Sequence, residues 1–285
     1  MDERDRTDAE LDSLAREIRA ADAVVALTGA GISAPSGVPT FRGDDGIWKR
    51  FEQGQFTYGR FQRDPGGFWR DRIELHEEMY DDRSIEPNDG HRALARLGST
   101  GHLTSILTQN VDGLHTDAAR EVGSDTPDAV ERDDGTNGIA TDAGSGAGPE
   151  LIELHGNARR VICTDCGRTF PSDEVTSLVH TGECPPRCGC DGLLKPDVVL
   201  FGEALSPANL QQARTLAGTA DVFLAIGSSL VVEPAASLPT QAAARDATVA
   251  VVNLEGTPVD RVASHVIRDD VTDVLPRLAD AVEDD

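Results

Sequence analysis

Short apolar runs, separated by longer amphipathic segments, organise this chain. The runs that predict buried strands lie at residues 23–27, 103–108, 151–154, 198–201, 222–226 and 249–252. The first intervening segment shows helical spacing at Leu11, Leu14, Ala15 and Ile18. Alternation of buried strands with helices is typical of an α/β protein built on a parallel sheet.

A glycine-rich turn follows the first apolar run. Gly29, Gly31 and Ala34 match the Gly-x-Gly-x-x-Gly/Ala pattern of dinucleotide-binding loops. There the first position permits a tight turn, the second lets backbone N–H groups approach a pyrophosphate, and the third allows close helix–strand packing. The same letters occur where a buried strand simply ends in a glycine turn. No strand ending in Asp or Glu follows about 20 residues later, which disfavours a dehydrogenase.

Polar residues stand at the ends of several predicted strands. They are Asn110, Asp112, His115, His155, Gly227, Ser228, Ser229 and Asn253. Because parallel strands end at one edge of a sheet, these residues converge on one crevice. Each one alone is explained as a turn former or a cap, but together they favour a nucleotide site.

All five cysteines fall between Cys163 and Cys190. Such clustering without a secretory signal indicates metal rather than disulfides. Cys163 and Cys166 have the spacing of half a tetrahedral zinc site. The second half is open among Cys184, Cys188 and Cys190, and buried unliganded thiols are the alternative. Few basic residues lie nearby, so we do not expect the module to bind nucleic acid.

The chain is strongly acidic, with a formal net charge of −24 over 285 residues, and its only lysines are Lys49 and Lys195. Such a surface repels nucleic acid and anionic membranes, and salt screens it because the Debye length falls to about 3 Å at 1 M. The charged residues 1–6 argue against a signal peptide, and no apolar run reaches the about 18 residues of a membrane span. We expect a cytoplasmic, halophilic protein. An ordinary acidic cytosolic protein is the alternative.

The segments between the runs suggest a division of the chain. A sheet domain would comprise 1–42, 91–155 and 196–285, a helical insertion 43–90, a disordered acidic loop 123–149, and a zinc-binding module 156–195. The loop is rich in Gly, Asp, Ser and Thr, and it buries too little apolar surface to offset the entropy cost of ordering.

Seven motifs in order along the chain resemble the sirtuins, which are NAD-dependent protein deacylases. They are residues 29–42, 108–115, 153–156, the cysteine cluster, 195–203, 227–230 and 252–255, within a likeness that spans about residues 10 to 280. The resemblance implies a Rossmann-like parallel-sheet domain carrying a helical insertion and an inserted small zinc-ribbon module. It also implies acetylated proteins as partners, NAD as a consumed co-substrate and structural Zn²⁺.

The resemblance also assigns residues to the site. The residues implied to bind NAD are Gly29, Ala30, Gly31, Ile32, Ala34, Phe41, Arg42, Gln109, Asn110, Asp112, Gly227, Ser228, Ser229, Asn253, Leu254, Glu255 and Val271. Those implied to pair with the substrate backbone are Val199, Phe201, Gly202 and Glu203. His155 would be the general base and Asn110 a second catalytic residue, while nicotinamide leaves and the acetyl group passes to ADP-ribose.

Two departures from the family pattern matter. The second cysteine pair lacks the usual spacing. Counted back from Lys195, Cys190 stands where the last ligand of the family usually falls, so the resemblance implies Cys190 as a ligand with Cys163 and Cys166. We favour Cys188 over Cys184 as the fourth ligand. Family members that remove succinyl or malonyl groups carry a Tyr-x-x-Arg pair in the helical insertion, and residues 69–76 lack it. Arg70 or Arg72 could substitute, but acidic neighbours would compete, so we predict a preference for neutral acyl groups.

Two alternative functions use the same residues. One is a mono-ADP-ribosyltransferase, and the other is a non-catalytic module that binds NAD or ADP-ribose. His155 and Asn110 are both present, which favours turnover over binding alone.

Overall fold

The computed structural model describes residues 3–40, 46–80, 85–124 and 148–284. Most of the predicted acidic loop, residues 125–147, lies outside the described residues. The strands are β1 Val24–Thr28, β2 Ser105–Thr108, β3 Glu150–Glu153, β4 Gly156–Cys163, β5 Thr169–Pro171, β6 Leu194–Val198, β7 Val222–Ile226, β8 Thr248–Val252 and β9 His265–Ile267. The helices are α1 Glu3–Ala20, α2 Ala30–Ser33, α3 Tyr58–Arg63, α4 Pro65–Tyr80, α5 Asp89–Ser99, α6 Leu114–Ser124, α7 Ser172–His180, α8 Pro207–Thr219, α9 Leu238–Ala243 and α10 Val271–Glu283.

A six-stranded parallel sheet in the order β3-β2-β1-β7-β8-β9 confirms the predicted α/β class. Strands β1 and β7 are buried at every position, because helices cover both faces of the sheet. Val24 and Ala26 pack with α1, α5 and α10, whereas Val25 and Leu27 pack with α8 and α9. The chain reverses its direction of strand addition between β1 and β7, which places a ligand crevice beside their carboxyl ends.

A second sheet of three antiparallel strands, in the order β5-β4-β6, carries the cysteines. It packs on helix α4 through Phe68, Trp69 and Val161, and the indole Nε1 of Trp69 donates to the Leu194 carbonyl over 2.9 Å. The prediction of a parallel-sheet strand at 198–201 is wrong. The strand there is β6, which ends at Val198 and pairs antiparallel with β4.

The sequence analysis missed β9, whose three residues are too short to show a pattern. Within the described part of the chain, no helix is long and apolar enough to cross a membrane.

Candidate active site

A cavity of about 790 Å³ opens at the carboxyl ends of the parallel strands, where it faces helix α4 and the loop after β6. Its walls include most of the residues predicted to bind a cofactor. These are Gly29, Ala30, Gly31, Ala34, Gln109, Asn110, Gly227, Ser228, Ser229, Asn253, Leu254, Glu255 and Val271. Asp112 lines a small adjoining pocket, and Ile32 is fully buried behind the loop. Phe41 and Arg42 lie outside the described residues.

The glycine turn is held by the turn after β7. A Cβ on Gly31 would lie 2.7 Å from the Gly227 carbonyl oxygen, and one on Gly227 would lie 2.4 Å from the Ile32 nitrogen. The Gly31 N–H donates to the Gly227 carbonyl over 2.7 Å. The Gly31 amide is therefore occupied, and the lack of a side chain at Gly31 permits close packing of the two turns. Ala34 is exposed rather than packed between helix and strand, and it lines the cavity.

His155 follows β3 and lines the cavity. Its Nδ1 lies 3.1 Å from the Gln109 carbonyl oxygen. A carbonyl only accepts, so Nδ1 carries the proton and Nε2 is the ring nitrogen able to take another. Burial lowers the pKa of His155 below its usual value, and the hydrogen bond to Gln109 partly opposes that shift. The imidazole is therefore a neutral base at pH 7.

Asn110 and Asp112 are buried at the end of β2. The Asn110 Nδ2 donates to the Gly29 carbonyl over 3.0 Å and to the Ser33 hydroxyl over 3.1 Å. Burial raises the pKa of Asp112, while hydrogen bonds from the Leu114 N–H and from Ser33 oppose the rise. These contacts fix both side chains relative to the glycine turn.

A buried polar network lies behind the turn, and the sequence analysis missed its extent. The His91 Nε2 lies 3.4 Å from the Ser33 hydroxyl, and the His115 Nε2 lies 2.9 Å from the Thr28 hydroxyl. The two imidazole rings meet edge to face at 5.0 Å. Burial lowers the pKa of His91 to about 2 and that of His115 to about 4, so both rings are neutral.

The opposite wall consists of side chains from outside the parallel sheet. They are Trp48, Phe56, Arg72, Leu75, Met79 and Tyr80. Four of these residues could have been found from the sequence by their helical spacing, since positions 72, 75, 79 and 80 share one face of α4. Burial lowers the pKa of Arg72, and no hydrogen bond or ion pair links Arg72 to another described residue.

The predicted substrate loop borders this wall. Val199 and Phe201 line the cavity, whereas Gly202 and Glu203 are not among the lining residues. The Val199 N–H donates to the His155 carbonyl over 2.9 Å, and the Phe201 N–H donates to the Phe56 carbonyl over 3.2 Å. Those two amides are therefore not available to a substrate strand. The Phe201 ring lies 5.3 Å from that of Trp48.

The four sulfur atoms of Cys163, Cys166, Cys188 and Cys190 all lie within 4.8 Å of one another. Two of the separations are 3.5 Å and 3.7 Å. A zinc ion with Zn–S bonds of about 2.3 Å in a tetrahedron separates its sulfurs by about 3.8 Å, so the cluster fits this metal. Cys184 lies elsewhere, with its sulfur 3.3 Å from the Gly66 carbonyl oxygen.

Comparisons with known proteins agree with this geometry. The model of the Sir2 family matches residues 29–124 and 136–234. An NAD-dependent protein deacetylase of Haloarcula marismortui is 46% identical over 271 residues, which cover 95% of this chain and 94% of that protein. A crystal structure of a Sir2 homolog–NAD complex has a TM-score of 0.74 at 34% identity, covering 95% of this chain and 93% of that one. A Sir2–p53 peptide–NAD⁺ structure has a TM-score of 0.75 at 30% identity, covering 94% and 96%. The chain belongs to the Sir2 family.

Proposed function

We propose that this protein is an NAD-dependent protein lysine deacetylase, which transfers acetyl groups from lysine side chains to ADP-ribose and releases nicotinamide. The observation that carries the proposal is the cavity position of His155, a neutral base whose tautomer is set by Gln109. The Haloarcula marismortui relative, named as a deacetylase, supports the same reaction.

The cavity suits a dinucleotide. Its volume of about 790 Å³ lies within the about 300–1,000 Å³ usual for small-molecule sites, and polar groups from several strand ends face an apolar wall. When bound, NAD supplies the ADP-ribose acceptor and the glycosidic bond that breaks. We propose that Ala30, Ala34 and the turn around Gly29 hold its pyrophosphate, and that Ser228 and Asn253 hold the adenosine half.

Three side chains have distinct roles in the proposed reaction. His155 accepts a ribose hydroxyl proton at Nε2, while its Nδ1–H stays bound to the Gln109 carbonyl and steadies the cation that forms. Asn110 and Asp112 orient the nicotinamide half, because their hydrogen bonds to the glycine turn and to the start of α6 hold them in place.

The acyl-lysine reaches the cavity past Val199 and Phe201 in this proposal. Gly202 and Glu203 belong to the same loop, so its remaining backbone groups would pair with an extended peptide. Such pairing makes little demand on the substrate sequence, and it fits acetylated proteins of many kinds as partners.

The acyl group is the point on which the structure favours a second candidate function. Neutral acyl groups remain our first choice, because Leu75, Met79 and Phe56 make the wall largely apolar. Arg72 lies on that wall without a carboxylate partner among the described residues, which favours acyl chains that end in a carboxylate. The sequence led us to expect competition from acidic neighbours, and among the described residues no carboxylate forms a hydrogen bond or ion pair with Arg72.

The net charge of the chain is the basis for proposing where the enzyme works. We propose a cytoplasmic, salt-adapted protein that does not bind nucleic acid directly, since the repulsion caused by its net charge of −24 is largely screened in concentrated salt. The zinc-binding module would have a structural role, holding the wall opposite the sheet.

The test is turnover of acetyl-, butyryl- and succinyl-lysine peptides with NAD in molar KCl. Release of nicotinamide together with deacylated peptide is the expected result. ADP-ribosylated protein without deacylation would instead establish a mono-ADP-ribosyltransferase, and NAD binding without products would establish a binding module.

Arg72→Leu in the same assay separates the two acyl preferences. If Arg72 reads an acyl carboxylate, succinyl turnover falls about tenfold and acetyl turnover changes little, since a hydrogen-bonded charge contributes about 1.5–3 kcal/mol. Equal effects on both peptides would remove the second candidate. Arg70→Leu is the matched control, because Arg70 contacts Cys184 instead of lining the cavity.

A further inference from the structure

The inference concerns Lys195, which is buried and is one of only two lysines in the chain. It lies on β6, where it pairs with Ile162 of the cysteine-bearing sheet. Its side chain is directed to the start of the loop after β6, which borders the cavity. Nothing in the proposed reaction uses this ammonium group.

Three oxygen atoms surround the Lys195 ammonium. Nζ donates to the Pro196 carbonyl over 3.1 Å, to the Val198 carbonyl over 2.7 Å and to the Glu203 Oε2 over 3.1 Å. An ammonium has three N–H donors, so every one is used. The contacts explain how a lysine is buried here, since a buried charge is tolerated when it is paired and hydrogen-bonded.

The Glu203 carboxylate closes the loop from its other end. Its Oε2 also accepts the Leu200 N–H over 2.9 Å, and the Glu203 N–H donates to the Leu200 carbonyl over 2.9 Å. The carboxylate therefore serves the loop itself, which differs from the substrate contact implied by the family resemblance. Between the two clamped ends lie Val199 and Phe201, the loop residues that line the cavity.

We propose that Lys195 and Glu203 form a clip that positions residues 198–203 for binding of the acyl-lysine peptide. Lys195 is a positioning residue: it touches no reacting atom, and it acts through the backbone of the loop. The inference rests on the proposed function only in taking an acyl-lysine peptide as the ligand. In the described structure, no hydrogen bond or ion pair links Lys195 or Glu203 to Gly29 or Ser228 on the NAD side of the cavity.

The test measures peptide and NAD affinities separately. A fluorescent acetyl-lysine peptide is titrated into Lys195→Met, Glu203→Gln and wild-type protein without NAD, and NAD binding is measured by calorimetry. We expect Lys195→Met to weaken peptide binding about tenfold, with NAD affinity within about twofold, because the loop loses its charged hydrogen bonds while the glycine turn is untouched. Glu203→Gln should weaken peptide binding less, since an amide oxygen still accepts.

Two further variants keep the result interpretable. Lys195→Arg retains the charge and should restore peptide affinity to within about threefold, which a loss of packing alone would not produce. Arg96→Met removes a cation that contacts Asp280 and Glu283 on the protein surface, and it should change neither affinity.

Each outcome either supports or overturns the clip. Unchanged peptide affinity in folded Lys195→Met protein overturns the clip, and so does equal loss of peptide and NAD affinity. If Lys195→Met does not fold, the peptide affinities of Glu203→Gln and Lys195→Arg decide. Weaker peptide binding by Glu203→Gln than by Lys195→Arg supports the clip, and equal peptide affinities of the two variants overturn it. Wild-type protein that binds NAD but no acyl peptide would overturn the proposed function itself, which is a different result from a variant that loses peptide affinity alone.

Discussion

The two walls of the cavity are built on different principles. The sheet wall consists of turns at strand ends, and Gly29, Gly31 and Gly227 let the backbones of two turns touch. The opposite wall consists of side chains from α4, of Trp48 and Phe56, and of the loop after β6, next to the cysteine-bearing sheet. Backbone turns suit a ligand that never varies, whereas side chains can be exchanged to suit a variable acyl group. The comparison suggests that cofactor binding and acyl selectivity can be altered separately.

The strongest test of this separation removes the metal from one wall. Cys163→Ser should lower the zinc content well below one ion per chain and loosen β4, β5 and β6, because a structural zinc site contributes about 10–16 kcal/mol in isolated zinc-finger peptides. Peptide binding should be lost while NAD binding persists. Elemental analysis, limited proteolysis and calorimetry measure these effects.

Cys184→Ser is the matched control, since its thiol lies outside the sulfur cluster and should leave the zinc content unchanged. Stoichiometric zinc in the Cys163→Ser protein would contradict the ligand assignment. Loss of NAD binding together with zinc would show that the two walls are not separable.

His155→Ala should abolish most turnover without affecting either wall. Loss of a general base costs about 10²–10⁴-fold in rate, while NAD affinity should stay within about threefold. Single-turnover kinetics and calorimetry check the two quantities. His180→Ala, at an exposed histidine of α7, is the control, and retained turnover in His155→Ala would remove the assigned role.

Gly31→Ala should damage the sheet wall alone. The new methyl would lie 2.7 Å from the Gly227 carbonyl oxygen and 2.8 Å from the Gly227 Cα, and such overpacking costs about 1–3 kcal/mol. We expect weaker NAD binding with full zinc content and unchanged acyl preference. Gly218→Ala has open space around its Cβ and is the control. Unchanged NAD affinity in Gly31→Ala would contradict the close-packing explanation.

Acid should lower the stability of the fold through His115, which is buried behind the sheet wall. Burial holds the pKa of His115 at about 4, whereas an unfolded chain binds that proton near pH 6.5. For this residue, stability is therefore constant above about pH 6.5 and falls by up to about 1.4 kcal/mol per pH unit between about pH 6.5 and pH 4. Chemical unfolding at pH 7.5 and 5.5 measures the loss. His115→Asn should show a shallower dependence than His180→Asn, and identical slopes would exclude His115 as the cause.

The local pattern of apolar residues along the chain was enough to predict much of the fold and the site. Runs of buried apolar residues identified all the parallel strands except β9, and the residues that follow them meet at the cavity because parallel strands end at one edge. The pattern failed at 198–201, where an apolar run forms part of a loop that packs on Phe56 and Trp48. Apolar composition reports burial, and it does not report which sheet or loop provides the burial.

By itself the sequence determined the α/β class, the glycine turn, the first half of the zinc site and the position of the basic histidine. Each depends on residues that are close together along the chain. Only the tertiary structure decided that Cys188 rather than Cys184 joins the sulfur cluster, that Arg72 faces the cavity without a carboxylate partner among the described residues, and that Lys195 clamps Glu203. Those facts depend on how separate elements pack, and side-chain direction and long-range contacts are not encoded in local periodicity.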